Sequence, residues 1–345
     1  MRATLIFNPQ AGAAAETSPE EISADLRNAG FCPTSYCTTS KDDLKNLMLD
    51  PGDVIVVAGG DGSVRTVAGL VAGTGIPMMI LPLGTANNIA TALGLSGTRS
   101  EWMTGGCSPF ETRSLDMGVV RSPWGNHFFL ESAGVGLFAD LLKAYDPTGG
   151  RSFPRALKAA AQVVPRFVAR DLQVRIDGCE LSGKYVLMEA MNTPCLGMRT
   201  PIAPEADPSD GLLDIALVEE RQDIGLASYI RQLASGDPTA LPNWNVHRGR
   251  QIAFLWDGST VHADEELFGS EEAEPNAMGA LIEISVKPRA FEVWLPLRRN
   301  EGRCGGETRP ATQAGSPAPL ASDGGDLPAH LPRRLSKTTI ATTQA

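Results

Sequence analysis

Residues 53–63 read DVIVVAGGDGS, and they decide the fold. Asp53 to Ala58 is a run dominated by β-branched residues, the pattern of a strand buried on both faces of a parallel sheet. Gly59 to Ser63 then leads into a helix expected to reach about Val71. Outward from this stretch the same alternation repeats. Ala3 to Phe7 is a short apolar run. Ser18-Pro19-Glu20-Glu21 combines a helix N-cap, a proline at the first helical position and the acidic partner of a capping box, opening a helix to about Asn28 that Gly30 ends. Thr34 to Thr38 reads as a second strand and Ser40 to Met48 as a helix with Asp43 in its first turn. Pro77 to Leu81 supplies another apolar strand, and Thr85 to Leu93 another helix. Strand and helix in alternation predict a doubly wound α/β domain.

From Leu115 the texture changes to shorter strands separated by turn signals: Phe128 to Leu130, Leu172 to Ile176, Tyr185 to Ala190, Leu213 to Val218, Gln251 to Trp256 and Leu281 to Val286. This predicts an antiparallel β-sandwich, interrupted by one helix over roughly Phe153 to Val168. Beyond about Arg299, Gly, Pro, Ser, Thr and Ala dominate with almost no aliphatic periodicity, which predicts a disordered tail. The expected organisation is an α/β domain over residues 1–116, a β-sandwich domain over 117–298 and the tail over 299–345. A chain of 345 residues with 42% hydrophobic composition is long enough for two cores. Its formal net charge of -10 argues against a nucleic-acid binder, which needs a clustered basic surface. No apolar run reaches about 18 residues, and Met1 to Phe7 does not read as a signal peptide. The six cysteines (Cys32, Cys37, Cys107, Cys179, Cys195, Cys304) are scattered without a CxxC pair, as reduced cytosolic thiols are. The expected location is therefore cytoplasmic.

Chemistry concentrates in Gly59-Gly60-Asp61-Gly62-Ser63. Glycines after a strand let backbone N–H groups approach a phosphate, and the following helix N-terminus favours an anion. Asp61 alone would repel phosphate, so its place there makes sense if it holds a cation; the alternative is a glycine turn with an Asp cap. Asn8-Pro9-Gln10-Ala11-Gly12 follows the first strand, Pro82-Leu83-Gly84-Thr85-Ala86-Asn87-Asn88 follows the strand Pro77 to Leu81, and Asp116 lies at a further strand. Ligands of open α/β sheets bind outside the carboxyl ends of the strands, so these loops can converge on one nucleotide.

Taken together, the motifs NPQAG (8–12), GGDGSV (59–64), PLGTANN (82–88), Asp116-Met117-Gly118, DPSDGLLD (207–214) and Asp264-Glu265-Glu266 resemble the diacylglycerol kinase catalytic family, which includes bacterial lipid kinases and sphingosine kinases. The resemblance runs over about residues 3 to 295. It implies an N-terminal ATP domain similar to those of phosphofructokinases and NAD kinases, a β-sandwich carrying the lipid site, and a cleft between them. It puts ATP on Asn8, Pro9, Gln10, Ala11 and Gly12, on Thr38, on Gly59, Gly60, Asp61, Gly62, Ser63, Val64 and Arg65, and on Thr85. It sets Asp61, Asn88 and Asp116 around the catalytic Mg²⁺, with Asn88 standing where the family has aspartate. Asp264 and Glu266 match the family's Asp-Gly-Glu motif, the aspartate as general base and the glutamate as its support, with Glu265 in place of the glycine. Without the upstream motifs these three residues read as a solvated acidic turn. Asp207, Asp210 and Leu212 match a structural Mg²⁺ loop, or else form Asx-turns leading into the next strand.

Gly134-Val135-Gly136-Leu137-Phe138-Ala139 matches a dinucleotide fingerprint but has no strand with a terminal acid about 20 residues on, and no GxxxxGK[ST] loop exists. Of the four histidines only His262 neighbours a proposed site, and it reads as a strand-surface residue. Rival functions are an NAD kinase, whose Asn-Glu pair has only Asn300-Glu301 as a counterpart here, and a catalytically weak lipid-binding relative. A local contrast to the acidic chain is Arg151 to Arg170, with Arg151, Arg155, Lys158, Arg166 and Arg170, no acid before Asp171, and Phe153, Leu157, Val163, Val164, Phe167 and Val168 between them. It suits peripheral docking on an anionic membrane, or is a packed helix with solvated arginines. Pro165 should kink or end it.

Overall fold

The computed structural model describes residues 1–38, 40–95, 110–145, 153–237, 239, 241, 243–269 and 275–296. The tail expected from residue 299, the pair Asn300-Glu301 and Arg151 lie outside them. Strands β1 (Arg2–Phe7), β2 (Cys32–Cys37), β3 (Val54–Gly59) and β4 (Met78–Pro82) form a parallel sheet in the order β4-β3-β1-β2. Of the run read as two-faced, Val54 to Ala58 are all buried, and only Asp53 at its start is exposed. Alternation sends Val54, Val56 and Ala58 to one face, where Ile22 and Leu26 of helix α1 (Pro19–Asn28) pack, and Ile55 and Val57 to the other. The second face is covered by Val64, Val67, Ala68 and Val71 of α3 (Asp61–Val71), the helix after the short α2 (Lys41–Leu47).

Local signals fix the helix starts. Ser18 Oγ accepts from Glu21 N–H at 3.2 Å while the Glu21 carboxylate accepts from Ser18 N–H, completing the capping box. Ser40 caps α2 by accepting from Asp43 N–H. Helix α4 covers only Asn88–Ala92, shorter than Thr85 to Leu93, because Asn87 is left-handed (φ 53°) and clasps Gly84 through both its amide oxygen and nitrogen. Residues 83–87 therefore remain a loop beside the glycine loop.

The sandwich begins with β5 (Phe110–Ser122), β6 (Gly125–Phe129) and β7 (Ser132–Gly136), followed by the helices Leu137–Ala144 and Phe153–Val163. Then come β8 (Arg170–Leu172), β9 (Val174–Ile176), β10 (Cys179–Glu180), β11 (Gly183–Met191), β12 (Cys195–Leu196), β13 (Thr200–Pro201), β14 (Leu213–Glu219), β15 (Trp244–Gly249), β16 (Gln251–Leu255), β17 (Val261–Ala263), β18 (Glu266–Phe268) and β19 (Leu281–Pro296). One antiparallel sheet runs β15-β14-β11-β7-β17-β18, with β8 attached to β11. The facing strands belong to the same sheet as the parallel core, since its order is β10-β9-β16-β19-β4-β3-β1-β2 with β5 attached to β19 and β6 to β5. The two inner faces meet through Val120, Phe254 and Ile284 on one side and Val135, Met188 and Ile215 on the other.

Strand β19 makes this continuity. It extends the expected Leu281 to Val286 to 16 residues. A register shift between Lys287 and Phe291 bends it, so that its first half pairs with β16 and β5 and its second half with β5 and, in parallel, β4. The α/β sheet and the antiparallel sandwich are thus two parts of one compact unit over residues 1–298.

Candidate active site

The carboxyl ends of β1, β3 and β4 carry their loops to one cleft of about 390 Å³, lined by Asn8, Gln10, Ala11, Gly12, Thr38, Gly60, Asp61, Gly62, Ser63 and Thr85 among others. Asn8 Nδ2 donates to Ser63 Oγ at 2.8 Å, and Gln10 N–H donates to Asn8 Oδ1 at 2.9 Å, which ties the first loop to the glycine loop. Gly60 and Gly84 touch back to back: a Cβ on Gly84 would lie 2.6 Å from Gly60 Cα. A side chain at either position would push the loops apart. Thr38 accepts from Ser40 N–H and donates to Asp43 at 2.8 Å, turning the chain into α2. Of the residues expected on ATP, Pro9, Gly59, Val64 and Arg65 do not line the cleft. Val64 is buried in the core, Pro9 is exposed, and Gly59 lies under Ser63, where a Cβ would come within 2.6 Å of that side chain.

Arg65 faces the sandwich instead. From the first turns of α3 it reaches Phe128 O (Nε, 3.2 Å), Asp264 Oδ2 (Nε, 3.3 Å) and Glu266 Oε2, and its guanidinium lies 5.2 Å from the Phe128 ring centre. Asp264 and Glu265 form the two-residue turn between β17 and β18, since Ala263 pairs with Glu266. The positive φ of this turn falls on Asp264 (52°), so the glutamate at 265 is accommodated where the resemblance implies glycine, and it lines the same cleft. Asp264 is buried, and its carboxylate accepts from the backbone N–H groups of Leu130 (3.0 Å), Glu131 (2.9 Å) and Ser132 (3.2 Å). Burial pushes its pKa above the ordinary carboxylate value against the lowering pull of Arg65 and these three N–H groups. Glu266 goes the other way. Its partial burial raises it, but the hydrogen bond and charge of Arg65, with His127 at 3.5 Å, hold it below the usual range.

The expected metal residues separate into two places. Asp61 lines the cleft, and its Oδ1 accepts from Ile89 N–H at 3.1 Å at the start of α4. Asn88 is buried and donates its amide to Glu131 Oε2 (2.6 Å) and Gly197 O (2.8 Å). Both partners only accept, which fixes the amide orientation and leaves Asn88 Oδ1 buried without a donor. Asp116 is buried in the middle of β5. Its oxygens take Gly211 N–H (2.6 Å) and Arg289 N–H (2.8 Å), while burial raises its pKa. The same loop holds Asp207, which accepts from Ser209 N–H at 3.0 Å, and Asp210, which accepts from Leu212 N–H at 2.9 Å, both as Asx-turns. Arg113 pairs with Asp207 at 2.8 Å and Arg248 with Asp210. Guanidinium groups therefore balance that loop.

Comparison with known proteins agrees with this layout. Residues 2–120 match the diacylglycerol kinase catalytic domain, and residues 152–295 match the YegS C-terminal NAD kinase β-sandwich-like domain. A diacylglycerol kinase of Mycobacterium tuberculosis is 25% identical over 298 residues, covering 84% of this chain and 96% of its own. The chain belongs to the diacylglycerol kinase family. It is a lipid kinase, and a Bacillus subtilis diacylglycerol kinase, 25% identical over 249 residues, covers 67% of this chain and 77% of its own. The fold is shared with a crystal structure of a diacylglycerol kinase from Bacillus anthracis, with a TM-score of 0.57 at 16% identity over 85% of this chain and 96% of that one.

Several residues of this lipid kinase site escaped sequence reading. Arg199, with φ of 63°, donates Nε to Ala86 O at 2.7 Å and so joins the sandwich to the loop before α4. Glu131 and Asn192 are buried beside Asp264 and Asp116, Asn192 donating to Leu130 O at 2.9 Å. None sits in a local pattern. Glu189 did carry a signal, as the one charged residue in the strand segment Val186 to Met191. His262 is not a strand-surface residue: it is fully buried and hydrogen-bonded to Glu189 at 2.8 Å, because β17 lies inside the second sheet between β7 and β18.

Proposed function

We propose that this lipid kinase transfers the γ-phosphoryl group of ATP to a hydroxyl of a membrane lipid such as diacylglycerol, with Asp264 as the general base. The observation that carries the reading is that the acidic hairpin and the glycine loop form one site: Glu265 lines the same cleft as Gly60 to Ser63, and Arg65 of α3 holds both Asp264 and Glu266. Backbone N–H groups at the start of α3 suit the nucleotide phosphates. Asp264, its pKa raised by burial, is a better proton acceptor than an ordinary carboxylate and suits the acceptance of a hydroxyl proton. Its longest contact, Arg65 Nε at 3.3 Å, is the one an incoming hydroxyl displaces. Glu266 stays ionised and keeps Arg65 in place during that exchange.

A nucleotide-bound Mg²⁺ needs one or two carboxylates, because water and phosphate supply the remaining oxygens. Asp61 in the cleft and the donorless Asn88 Oδ1 fit that demand and would hold the ion, directly or through water. When bound, Mg²⁺ neutralises charge on the transferring phosphate. Asp116, Asp207 and Asp210 are committed to backbone N–H groups and arginines, so the loop 207–212 does not fit a metal as it stands. The test is turnover of ATP with purified lipid micelles. Asp264→Asn is expected to lower kcat by about 10²- to 10⁴-fold while ATP binding stays near normal; a loss below about 10-fold removes Asp264 as the base. Mass spectrometry of products from a mixed lipid extract identifies the acceptor.

A further inference from the structure

Next to Asp264, two ionisable side chains are completely buried: Glu189 on β11 and His262 on β17, both at 0% exposure. Neither takes part in the reaction sequence above. They belong to different strands separated by β7, and the register places Glu189 opposite Gly134 and Gly134 opposite His262. The middle residue has no side chain, so the two outer ones meet across it: His262 Nε2 lies 2.8 Å from Glu189 Oε2. A Cβ at Gly134 would stand 2.7 Å from the Glu189 carboxyl group. The glycine of the dinucleotide-like stretch at 134–139 thus has a structural reason unrelated to nucleotide.

The other ring nitrogen, Nδ1, lies 3.0 Å from the backbone carbonyl oxygen of Asp264. A carbonyl can only accept, so Nδ1 carries a proton and donates it. Nε2 and Glu189 Oε2 then share a second proton. Whichever atom holds that proton, the contact is a hydrogen bond and the pair is neutral overall. We propose that Glu189 and His262 are positioning residues: a buried proton-sharing pair that holds the Asp264 carbonyl and so keeps the base in its left-handed conformation. The inference rests on the assignment of Asp264 as base.

Asp264 needs such a hold. A non-glycine residue at φ 52° is strained and persists only where its surroundings over-determine it. Three backbone N–H groups hold its carboxylate and Ser132 O holds its N–H, which leaves its carbonyl to His262. Among the described residues the groups facing the ring are few. Glu189 comes from β11 and Asp264 from its own hairpin, while the helix Leu137–Ala144 contributes the Phe138 ring, edge-on at 5.0 Å between centroids. Burial raises the Glu189 pKa against the pull of His262. For His262 burial pulls downward, but Glu189 and Asp264 together push the ring above its ordinary value. Both directions mean that the pair retains its shared proton as pH rises.

The test uses a shape-matched apolar pair, Glu189→Leu with His262→Phe, which removes the tether without leaving a buried charge alone. Expected is a folded enzyme whose kcat falls about 10- to 10²-fold, the scale of a slightly misplaced catalytic group. KM for ATP should be unchanged and the acid limb of the kcat–pH profile displaced. Wild-type kcat and pH profile in the double variant overturn the proposal. Glu189→Gln alone should restore the rate, because its amide donates to Nε2 and leaves the Nδ1 proton on Asp264; a loss matching the double variant counts against it. A measurement on the unmodified protein covers the case where the double variant does not fold. The ¹⁵N spectrum of the His262 ring must show Nδ1 protonated across the neutral range, and an unprotonated Nδ1 sinks the proposal. Should Asp264→Asn leave turnover intact, the reading of the base fails instead, and the nitrogen spectrum still reports on the pair.

Discussion

Arg65 links the glycine loop to the acidic hairpin, since it grows from α3 yet spends its charge on Asp264 and Glu266. Its guanidinium lowers the Asp264 pKa that burial raises. Arg65→Met should therefore raise that pKa further, keep the base protonated to a higher pH, and move the acid limb of the kcat–pH profile upward; an unmoved limb dissociates Arg65 from the base. At Asn88 two effects compete. If the proposed Mg²⁺ binds there, a carboxylate would add charge beside it and tighten its binding. The structure sets it 2.6 Å from the Glu131 carboxylate and 2.8 Å from Gly197 O, both acceptors, in a buried site. Uncompensated buried charge costs about 3–5 kcal/mol, more than a partly solvated metal contact returns. Asn88→Asp should thus lower Tm at neutral pH. Crowding raises the folded pKa of the acidic pair above its unfolded value, so stability should recover as pH falls through that raised pKa. A variant as stable as wild type at neutral pH contradicts this account.

Element by element, the membrane expectation narrows to the helix Phe153–Val163 and the turn after it. The helix stops at Val163, two residues before Pro165, whose ring cannot continue it. Ala159 and Ala160 face inward, whereas Leu157 (61%) and Val168 (62%) are among the most exposed large apolar side chains. Of the basic residues, Arg170 is paired with Asp140 at 2.9 Å, and Lys158 and Arg166 are exposed. With about 1 kcal/mol per exposed charge near an anionic surface, docking through this element should be weak and salt-sensitive. Liposome sedimentation is expected to rise with anionic lipid, and Lys158→Glu with Arg166→Glu should reduce it; equal sedimentation of the folded variant excludes this helix as the contact. The strands and caps of the α/β part were legible because each carries its signal within a few residues: Ser18 to Glu21 for α1, the β-branched run for β3. Helix α4 was overestimated because Asn87 adopts a left-handed conformation stabilised by its own side chain, which periodicity does not encode. That the loops after β1, β3 and β4 share one cleft was legible from motif order, but the direction of Arg65 depends on the distant Asp264 and Glu266 and the depth of His262 on the distant Glu189, and no local pattern states them.

For the whole molecule the decisive strand is the last one. The sequence suggests a boundary near residue 116, yet β5 runs from Phe110 to Ser122 across it, and β19 returns from the far end of the chain to lie beside both β4 and β5. Phe291, Val293 and Leu295 of β19 are buried in the same core as Ile55, Val57 and Val64 of the α/β part. Burying a side chain of this kind contributes about 1.5–3 kcal/mol, so these three contribute about 5–9 kcal/mol. That is comparable to the whole margin of about 5–15 kcal/mol by which a domain is stable. Without β19 the edge of β4 would also present unpaired backbone groups, an invitation to aggregate. A fragment of residues 1–116 should therefore fail to fold, although it contains every glycine-loop residue, and the 1–298 chain should unfold in one cooperative transition that moves upward with nucleotide. Circular dichroism and thermal melts of both chains make the comparison. A fragment that melts cooperatively and binds ATP would show the nucleotide domain to be autonomous, and β19 to be a covering strand and no part of its core.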